Sequence, residues 1–266
     1  MGTSETSSRA PRRALVSGAS SGIGAATVRA LCARGYEVVA IARREDRLAS
    51  LAQETGCTTM VCDVTNEHDV EAVRAYLAQR GSLDILVANA GGAIGADPVG
   101  EGDPRDWSAM FELNVIGTQR LIRAMLPLLR HGALEHQVAD IVSLSSTAAF
   151  VSYEGGGGYN AAKAGVHAML GALRLELAGE PIRVVEIAPG MVHTEEFALN
   201  RFAGDEAKRD ALYEGVEAPL VADDVADVIV YAVGCPAHVN LDLVQMRPVA
   251  QAAQHKLHRG PLRPKL

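Results

Sequence analysis

A glycine-rich turn joins a short apolar segment to a predicted helix near the beginning of the chain. The apolar segment covers residues 14–17, the turn runs from Gly18 to Gly24, and the helix is predicted at residues 23–34. Glycines let backbone amides approach a pyrophosphate closely, and the N-terminus of a helix supplies partial positive charge. The pattern predicts a dinucleotide site, although a tight βα turn that binds nothing is the alternative. The candidate contacts are Gly18, Ser20, Ser21, Gly22, Ile23 and Gly24.

Strand and helix patterns alternate along the rest of the chain. Strands are predicted at residues 37–42, 58–62, 84–88, 140–144, 182–188 and 241–246, and helices at 44–54, 67–80, 107–129, 159–178 and 223–233. Because crossovers between parallel strands are right-handed, this alternation predicts a doubly wound α/β fold. We expect a single Rossmann-type domain over residues 13–250, with a seven-stranded parallel sheet, helices on both faces and ligands beyond the carboxyl ends of the strands.

Charge and cysteine spacing exclude several classes of function. The net charge of −7 gives no reason to expect nucleic acid or an anionic membrane as a partner, and no segment approaches the length of a membrane span. The four cysteines lack the spacing of a disulfide framework or a zinc site, so no metal is expected. A cytoplasmic protein is the expectation. Residues 1–12 are predicted to be a disordered leader, and the basic residues 251–266 a solvated tail rather than a nucleic-acid arm.

Tyr159 and Lys163 are four residues apart in a predicted helix. This spacing puts the phenol and the ammonium on one face, close enough for the cation to favour the phenolate and lower the pKa of Tyr159. A tyrosine with the reference pKa of about 10 transfers protons poorly at neutral pH. The pair therefore predicts a proton-transfer site, and the glycines at residues 155–158 are expected to border it.

The end of the second predicted strand indicates which nicotinamide cofactor would bind. In dinucleotide-binding folds an acidic residue about twenty positions past the turn accepts the ribose hydroxyls. Here Ala42 is followed by Arg43 and Arg44, and guanidinium groups suit a 2′-phosphate. We therefore expect NADP(H) rather than NAD(H). The alternative is that both arginines are solvated residues at the start of a helix.

Polar residues follow the next two strands and interrupt the long helix. Asp63 can cap a turn or accept a hydrogen bond from an adenine amino group. Asn89 can satisfy loop backbone, while Ala90 and Gly91 leave room for a cofactor. Asn114 is unfavourable in a helix unless its side chain binds something specific, although an exposed helix-surface asparagine fits the pattern equally well.

Together these residues resemble the short-chain dehydrogenase/reductase family, over roughly residues 13–249. The matching segments are the glycine turn, Asp63-Val64, Asn89-Ala90-Gly91, Asn114-Val115, Ser145-Ser146, Tyr159 with Lys163, and Pro189-Gly190 followed by Thr194. The resemblance implies that Tyr159 is the general acid/base, that Ser146 holds the substrate oxygen, that Lys163 binds the nicotinamide ribose, and that Asn114 holds a water. It also implies homodimers or homotetramers and cofactor contacts from Asp63, Val64, Asn89, Ala90, Gly91, Pro189, Gly190, Val192 and Thr194.

The last third of the chain is similar to the branch of NADP-dependent serine 3-dehydrogenases and 3-hydroxy acid dehydrogenases. The similar segments are residues 194–197, 201–205, 213–215, 224–226 and 236–240, with Pro248 and Gln251. This likeness implies hydride transfer between nicotinamide C4 and a secondary alcohol or ketone, with a small 3-hydroxy acid as substrate. Arg201 can pair with a substrate carboxylate, or with Asp205 in its own helix. His238 is expected to be structural.

Two other functions remain open at the level of sequence. The glycines at residues 155–158 remove side chains that could grip a small substrate, which would allow a reductase of bulkier ketones. A protein that senses NADP(H) without turning it over is the other alternative, since a fold does not dictate a function.

Overall fold

The structure, a computed structural model, describes residues 11–264 of the chain. Seven strands of this range form the main sheet, and four short strands form two small pairs beside it. In chain order the strands are β1 (Arg13–Ser17), β2 (Glu37–Ala42), β3 (Thr58–Val61), β4 (Ile85–Ala88), β5 (Ala139–Leu144), β6 (Ile182–Pro189), β7 (Val192–His193), β8 (Leu220–Val221), β9 (Leu243–Met246), β10 (Gln251–Ala253) and β11 (Lys256–Leu257).

Helices alternate with the strands of the main sheet. They are α1 (Gly22–Ala33), α2 (Glu45–Thr55), α3 (Glu67–Ala78), α4 (Pro104–Phe111), α5 (Gly117–His136), α6 (Gly157–Glu176), α7 (Phe197–Arg201), α8 (Glu206–Tyr213) and α9 (Ala222–Val233). Among these helices of the described range, none combines the length with the apolar content that crossing a bilayer requires.

The order of the strands in the main sheet is β3-β2-β1-β4-β5-β6-β9, and every neighbouring pair is parallel. Leu15 of β1 lies opposite Val39 of β2 on one side and Leu86 of β4 on the other. The winding therefore reverses at β1, and a ligand crevice opens beyond the carboxyl ends of β1 and β4. The predicted doubly wound α/β fold with a seven-stranded parallel sheet is confirmed.

Two apolar layers hold the sheet between its helices. Val16 of β1 packs in one cluster with α1, α2 and α9, whereas Leu15 packs in the other with α3, α5 and α6. Successive side chains of a strand point to opposite faces, which is why neighbouring residues of β1 belong to different layers. The buried apolar residues are mostly Ala, Val, Leu and Ile, as expected for parallel strands covered on both faces.

The long helix predicted at residues 107–129 is three consecutive segments in the structure. Helix α4 starts at Pro104, where Asp103 caps it by accepting from the Arg105 amide, and a π-helical segment (Glu112–Ile116) separates it from α5. Helix α5 then continues to His136 with Pro127 inside it. A π-helical turn holds one extra residue, which the spacing of apolar residues does not reveal.

The predicted disordered leader, residues 1–12, includes a residue that is bonded within the folded domain. Its first ten residues lie outside the described range, but Arg12 donates to Asp140 at 2.8 Å and to the carbonyl of Val233 at 3.2 Å. Asp140 is completely buried and is also bonded by Arg183 at 2.7 Å. Arg12 thus belongs to the folded domain because it supplies half of the counter-charge of a buried carboxylate.

Residues 251–264, predicted to be a solvated basic tail, are attached to the domain at Gln251 and Gln254, while Lys256, Arg259 and Arg263 are exposed. Strands β10 and β11 form an antiparallel pair, and Gln251 is buried. The side-chain oxygen of Gln251 accepts from the Met191 amide at 2.8 Å, and that of Gln254 accepts from the Thr147 hydroxyl at 2.7 Å. These amide side chains satisfy polar groups beside β5 and β6, which holds the segment against the domain despite its cations.

Candidate active site

The glycine turn lies between β1 and α1, as the sequence predicts. Gly18 and Gly22 have φ values of +64° and +51°, a conformation that favours glycine. A Cβ on Gly24 would lie 2.2 Å from the carbonyl oxygen of Gly18, so only glycine fits there. Ser21 is the N-cap of α1 and makes no side-chain capping bond. The amides of the first turn are therefore available to an anion.

Asn89 ties the end of β4 to the glycine turn. Its side-chain nitrogen donates to the carbonyls of Ser17 and Gly18 at 2.9 and 3.3 Å. The hydroxyl of Ser17 in turn accepts from the amides of Asn89 and Ala90, both at 3.0 Å. The two strand ends that flank the crevice are thus joined by side chains as well as by the sheet.

Asn114 is buried in the π-helical segment, so the alternative of an exposed helix-surface asparagine is wrong. Its side-chain nitrogen donates to the carbonyls of Gly92 and Met110 at 2.9 and 2.8 Å, and its oxygen accepts from the Gly92 amide at 3.2 Å. A Cβ on Gly91 would lie 2.6 Å from that oxygen. The π-helical turn, a feature common at functional sites, therefore brings α4 and α5 against the loop after β4.

Ser146, Tyr159 and Lys163 converge beyond the carboxyl end of β5. Ser146 caps the short 3-10 turn at Thr147–Ala149 and donates to the carbonyl of Pro189 at 3.3 Å. Tyr159 and Lys163 follow each other by one turn on α6 and are 9% and 5% exposed. Lys163 Nζ lies 5.8 Å from the centroid of the Tyr159 ring and donates to the carbonyl of Leu144 at 2.9 Å.

Burial moves the pKa values of this pair in opposite directions. It raises the pKa of Tyr159, against a lowering by hydrogen bonding with Ser146 and by the charge of Arg201. It lowers the pKa of Lys163 to about 8, against a raising by the charge of Glu186. Desolvation outweighs the neighbouring charges, so the net shift in the pKa of Tyr159 is upward, opposite to the lowering expected from Lys163.

Arg44 is the N-cap residue of α2, but its guanidinium is bonded to the glycine turn and to Glu196. Its guanidinium donates to the Ser20 hydroxyl from Nη2 at 2.8 Å and to Glu196 from Nη1 at 2.5 Å, while Nη2 also reaches Ser21 at 3.0 Å. Arg43 beside it is exposed. Arg44 thus links the end of β2 to the glycine turn, where the sequence placed a phosphate-binding arginine. Glu196 was not predicted as a site residue, although it lies in residues 194–197, one of the segments that are similar to 3-hydroxy acid dehydrogenases.

Asp63 caps a turn at the end of β3. Its carboxylate accepts from the amide and the hydroxyl of Thr65 at 2.9 and 2.8 Å. The neighbouring Val64 is buried and packs against Gly117, where a Cβ would lie 2.9 Å from it. Asp63 therefore caps a turn, which is one of the two roles predicted for it.

Residues 189–194 form the other wall of the crevice. Pro189 ends β6, and Gly190 packs so closely on Gln251 that a Cβ would lie 2.3 Å from its side-chain oxygen. Val192 begins β7, and Thr194 lies across from Gly22, whose hypothetical Cβ would be 3.4 Å from its methyl group. The predicted cofactor contacts from both halves of the chain are thus brought to the same edge of the sheet.

A small, partly open cavity lies beside Tyr159. Its lining includes Trp107, Met110 and the glycines at 155–158. A Cβ on Gly158 would lie 2.4 Å from Met110, and one on Gly157 would lie 3.0 Å from Trp107. The glycine run therefore packs tightly against α4, which does not support the alternative of a widened site for a bulkier ketone.

Arg201 is bonded to two residues of the cavity lining, Gly95 and Gly155, and all of its hydrogen-bond partners are neutral. It donates to the carbonyls of Gly95 and Gly155 at 3.1 and 3.0 Å and to the hydroxyl of Tyr153 at 3.0 Å. The alternative partner, Asp205, instead caps α8 by accepting from the Lys208 amide at 3.0 Å. The intrahelical pairing is therefore wrong.

His238 lies far from these residues. It is exposed, and it borders a separate crevice with Ile182 and Arg183 at the amino end of β6. Ligands of this fold bind at the opposite edge of the sheet, so this position lies apart from the candidate site.

Comparisons with known proteins agree with this geometry. A family model described as short chain dehydrogenase matches residues 12–201. An uncharacterized oxidoreductase of Mycobacterium tuberculosis is 47% identical over 252 residues, covering 95% of this chain and 97% of its own. An NADP-dependent 3-hydroxy acid dehydrogenase of Salmonella typhimurium is 37% identical over 250 residues, covering 92% and 99%. The closed form of a serine dehydrogenase complexed with NADP+ superposes with a TM-score of 0.85 at 36% identity, covering 93% and 99%.

Proposed function

The chain belongs to the short-chain dehydrogenase family, and from that premise we propose that it interconverts small 3-hydroxy acids and their 3-oxo forms with NADP(H). As a member of the family it is an oxidoreductase that acts on CH–OH groups. The observation that carries the finer proposal is the convergence of Ser146, Tyr159 and Lys163 beside a cavity, one of whose lining residues, Gly95, is bonded by Arg201.

The residues at the crevice fit the dinucleotide. A Cβ would block the turn at Gly18 and Gly24, and the first turn of α1 has no side-chain cap. We assign the pyrophosphate to this turn and the 2′-phosphate to Ser20, Arg43 and Arg44. NADP(H), when bound, gives or accepts a hydride at C4 of its nicotinamide. Asp63, Val64, Asn89, Ala90, Gly91, Pro189, Gly190, Val192 and Thr194 complete the proposed walls.

Tyr159 is the proposed proton donor and acceptor. Its hydroxyl gives a proton to the substrate oxygen during reduction and takes it back during oxidation, while Ser146 donates a hydrogen bond to the same oxygen. Because burial raises the pKa of Tyr159, ionisation of the phenol depends on fixed positive charge nearby. Lys163, with Nζ 5.8 Å from the ring, and Arg201, whose charge lowers the pKa, are the cations in position.

Asn114 and Lys163 support the proton path. The Asn114 oxygen accepts one bond, from the Gly92 amide, and its second lone pair can accept from a water. We propose that this water and the ribose bound by Lys163 pass the proton from Tyr159 towards solvent.

Arg201 is the proposed receptor for the substrate carboxylate. Arg201 donates to two carbonyls and a phenol, and it forms no ion pair with a carboxylate of residues 11–264. Three donor bonds leave two of the five guanidinium N–H groups for a ligand. The charge of Arg201 also lowers the pKa of Tyr159, so this guanidinium and the proposed proton donor act on the same region of the site.

A substrate panel scored by NADPH absorbance tests the proposal. We expect 3-hydroxybutyrate or serine to be oxidised with NADP+, and Tyr159→Phe to abolish turnover while NADP+ affinity stays close to wild type. Tyr231→Phe, an exposed tyrosine on α9, is the matched control and should keep full activity. Turnover retained by Tyr159→Phe would contradict the mechanism, and binding of NADPH with no turnover of any acid or ketone would favour a sensor.

The role of Arg201 has a separate test. Wild type should prefer a 3-hydroxy acid to its methyl ester, and Arg201→Gln should remove most of that preference by lowering kcat/KM for the acid about 100-fold. Equal losses with acid and ester would indicate that Arg201 only holds the loops at Gly95 and Gly155.

We also propose a homo-oligomer. Leu134 of α5 and Leu175 of α6 are 82% and 80% exposed, and Phe111 at the end of α4 is 44% exposed. Association of these helices between copies of the chain would cover these exposed side chains. Light scattering coupled to gel filtration should give twice or four times the mass of the chain, and a monomer would contradict the proposal.

A further inference from the structure

Glu196 is bonded to Arg44, one of the residues that the proposed function assigns to the 2′-phosphate, and to the neighbouring Ser21. One carboxylate oxygen accepts from Arg44 Nη1 at 2.5 Å, and the other accepts from the Ser21 hydroxyl at 2.8 Å. Arg47 Nη2 lies 3.9 Å away. The Glu196 side chain is only 17% exposed, so it lies within the cluster and does not project into solvent beside it.

The same cluster contains the remaining donors of Arg44. Nε and Nη2 of Arg44 both donate to the hydroxyl of Ser20, at 3.2 and 2.8 Å. One carboxylate and two serine hydroxyls therefore take up most of the hydrogen-bonding capacity of this guanidinium. An incoming 2′-phosphate and the Glu196 carboxylate carry charges of the same sign and need the same donors, and like charges in contact repel.

We propose that the Glu196 carboxylate is an internal competitor for the 2′-phosphate of the cofactor, displaced from Arg44 and Ser21 when NADP(H) binds. The proposal rests on the proposed function in one respect, the assignment of Ser20 and Arg44 to that phosphate. It adds that the chain holds NADP(H) less tightly than its basic cluster would allow, so that Glu196 sets the affinity for the cofactor and its discrimination from NAD(H).

The two cofactors should respond differently to loss of this charge. NADP+ must exchange its phosphate for the Glu196 carboxylate, whereas NAD+ has no phosphate at this position and leaves the Arg44–Glu196 pair in place. Glu196→Gln keeps the size and one acceptor oxygen of the side chain but removes the charge. Since a hydrogen bond to a charged group contributes about one power of ten or more to a binding constant, Glu196→Gln should tighten NADP+ about tenfold and change NAD+ less than twofold.

Equilibrium binding measured by titration calorimetry tests this without turnover. The ligands are NADP+, NAD+, adenosine 2′-monophosphate and adenosine 5′-monophosphate, titrated into the full-length chain. Glu195→Gln is the matched control, since Glu195 is an exposed neighbour and should leave all four dissociation constants unchanged. Thermal unfolding verifies that each variant is folded. If Glu196→Gln does not fold, Glu196→Ala replaces it, and this variant should also bind NADP+ more tightly than wild type.

Each outcome has a defined meaning. Tighter binding of NADP+ and of adenosine 2′-monophosphate by the Glu196 variants, with NAD+ and adenosine 5′-monophosphate unchanged, supports the competitor. Weaker NADP+ binding by Glu196→Gln overturns the proposal and indicates that Glu196 contributes to holding the bound cofactor. An unchanged dissociation constant for NADP+ overturns the proposal as well. If wild type binds NADP+ no better than NAD+, the proposed cofactor assignment fails together with the inference.

Discussion

Replacing Lys163 should change how the stability of the protein depends on pH. Lys163 is 5% exposed, and burial lowers its pKa from 10.5 to about 8. The charged form is therefore disfavoured in the folded state relative to the unfolded chain. The variant Lys163→Met keeps much of the apolar stem of the side chain and removes the titrating group.

The magnitude follows from the two pKa values. At about 1.4 kcal/mol for each pH unit between them, keeping Lys163 charged in the fold costs about 3 kcal/mol at pH 7. Below pH 8 both states hold the proton, so the whole cost is present. Between about pH 8 and 10.5 the unfolded chain holds a proton that the folded chain has lost, so stability rises with pH. From pH 7 to pH 10 wild type should therefore gain about 2.5 kcal/mol relative to Lys163→Met.

Urea unfolding of both proteins from pH 7 to pH 10, without ligand, measures this difference. Cys62, whose pKa burial raises to about 12, works in the opposite direction, since its contribution to stability is lost as pH rises above 9. Comparison at each pH cancels that effect because both proteins contain Cys62. Lys208→Met, at a lysine 68% exposed, is the control and should run parallel to wild type. Parallel curves for Lys163→Met would refute the reasoning, because they would mean that Lys163 keeps its ordinary pKa in the fold.

Three further substitutions test other contacts. Gly24→Ala puts a Cβ 2.2 Å from the Gly18 carbonyl oxygen and should abolish NADP+ binding in calorimetry. Gly171→Ala in α6, where no atom lies within 4 Å of the added Cβ, is the control. It should keep NADP+ binding and stabilise the fold by about 0.5–1 kcal/mol. Asp140→Asn leaves two arginines without their buried carboxylate and should cost about 3–5 kcal/mol in urea unfolding; a loss below about 1 kcal/mol would contradict the role of that pair. Gln251→Ala removes the acceptor of the Met191 amide and should cost about 1–3 kcal/mol, with faster hydrogen exchange at that amide as the specific readout; unchanged exchange would show that another group accepts the bond.

The parts of the site that are local in sequence could be predicted from it. Glycines at 18 and 24 are required by the conformation of a single turn, and the four-residue interval between Tyr159 and Lys163 places both side chains on one face of α6. The alternation of strands and helices similarly predicted the order of the layers, because crossovers in parallel sheets have one hand.

Contacts between distant residues could not be predicted in this way. Arg44 and Glu196 are 152 positions apart, and neither residue carries a signal for the other. The raised pKa of Tyr159 comes from burial, which the spacing of residues does not report. The π-helical turn at Asn114 and the packing of Gln251 against Gly190 likewise depend on how elements meet in three dimensions.

The attachment of β10 and β11 to the domain has a practical consequence for handling the protein. Gln254 is bonded to Thr147, the residue after Ser146, and Gln251 holds the backbone at Met191. Shortening the chain before Gln251 would therefore remove the acceptors of the Met191 amide and the Thr147 hydroxyl. A truncated variant made for expression or crystallisation should keep both glutamines.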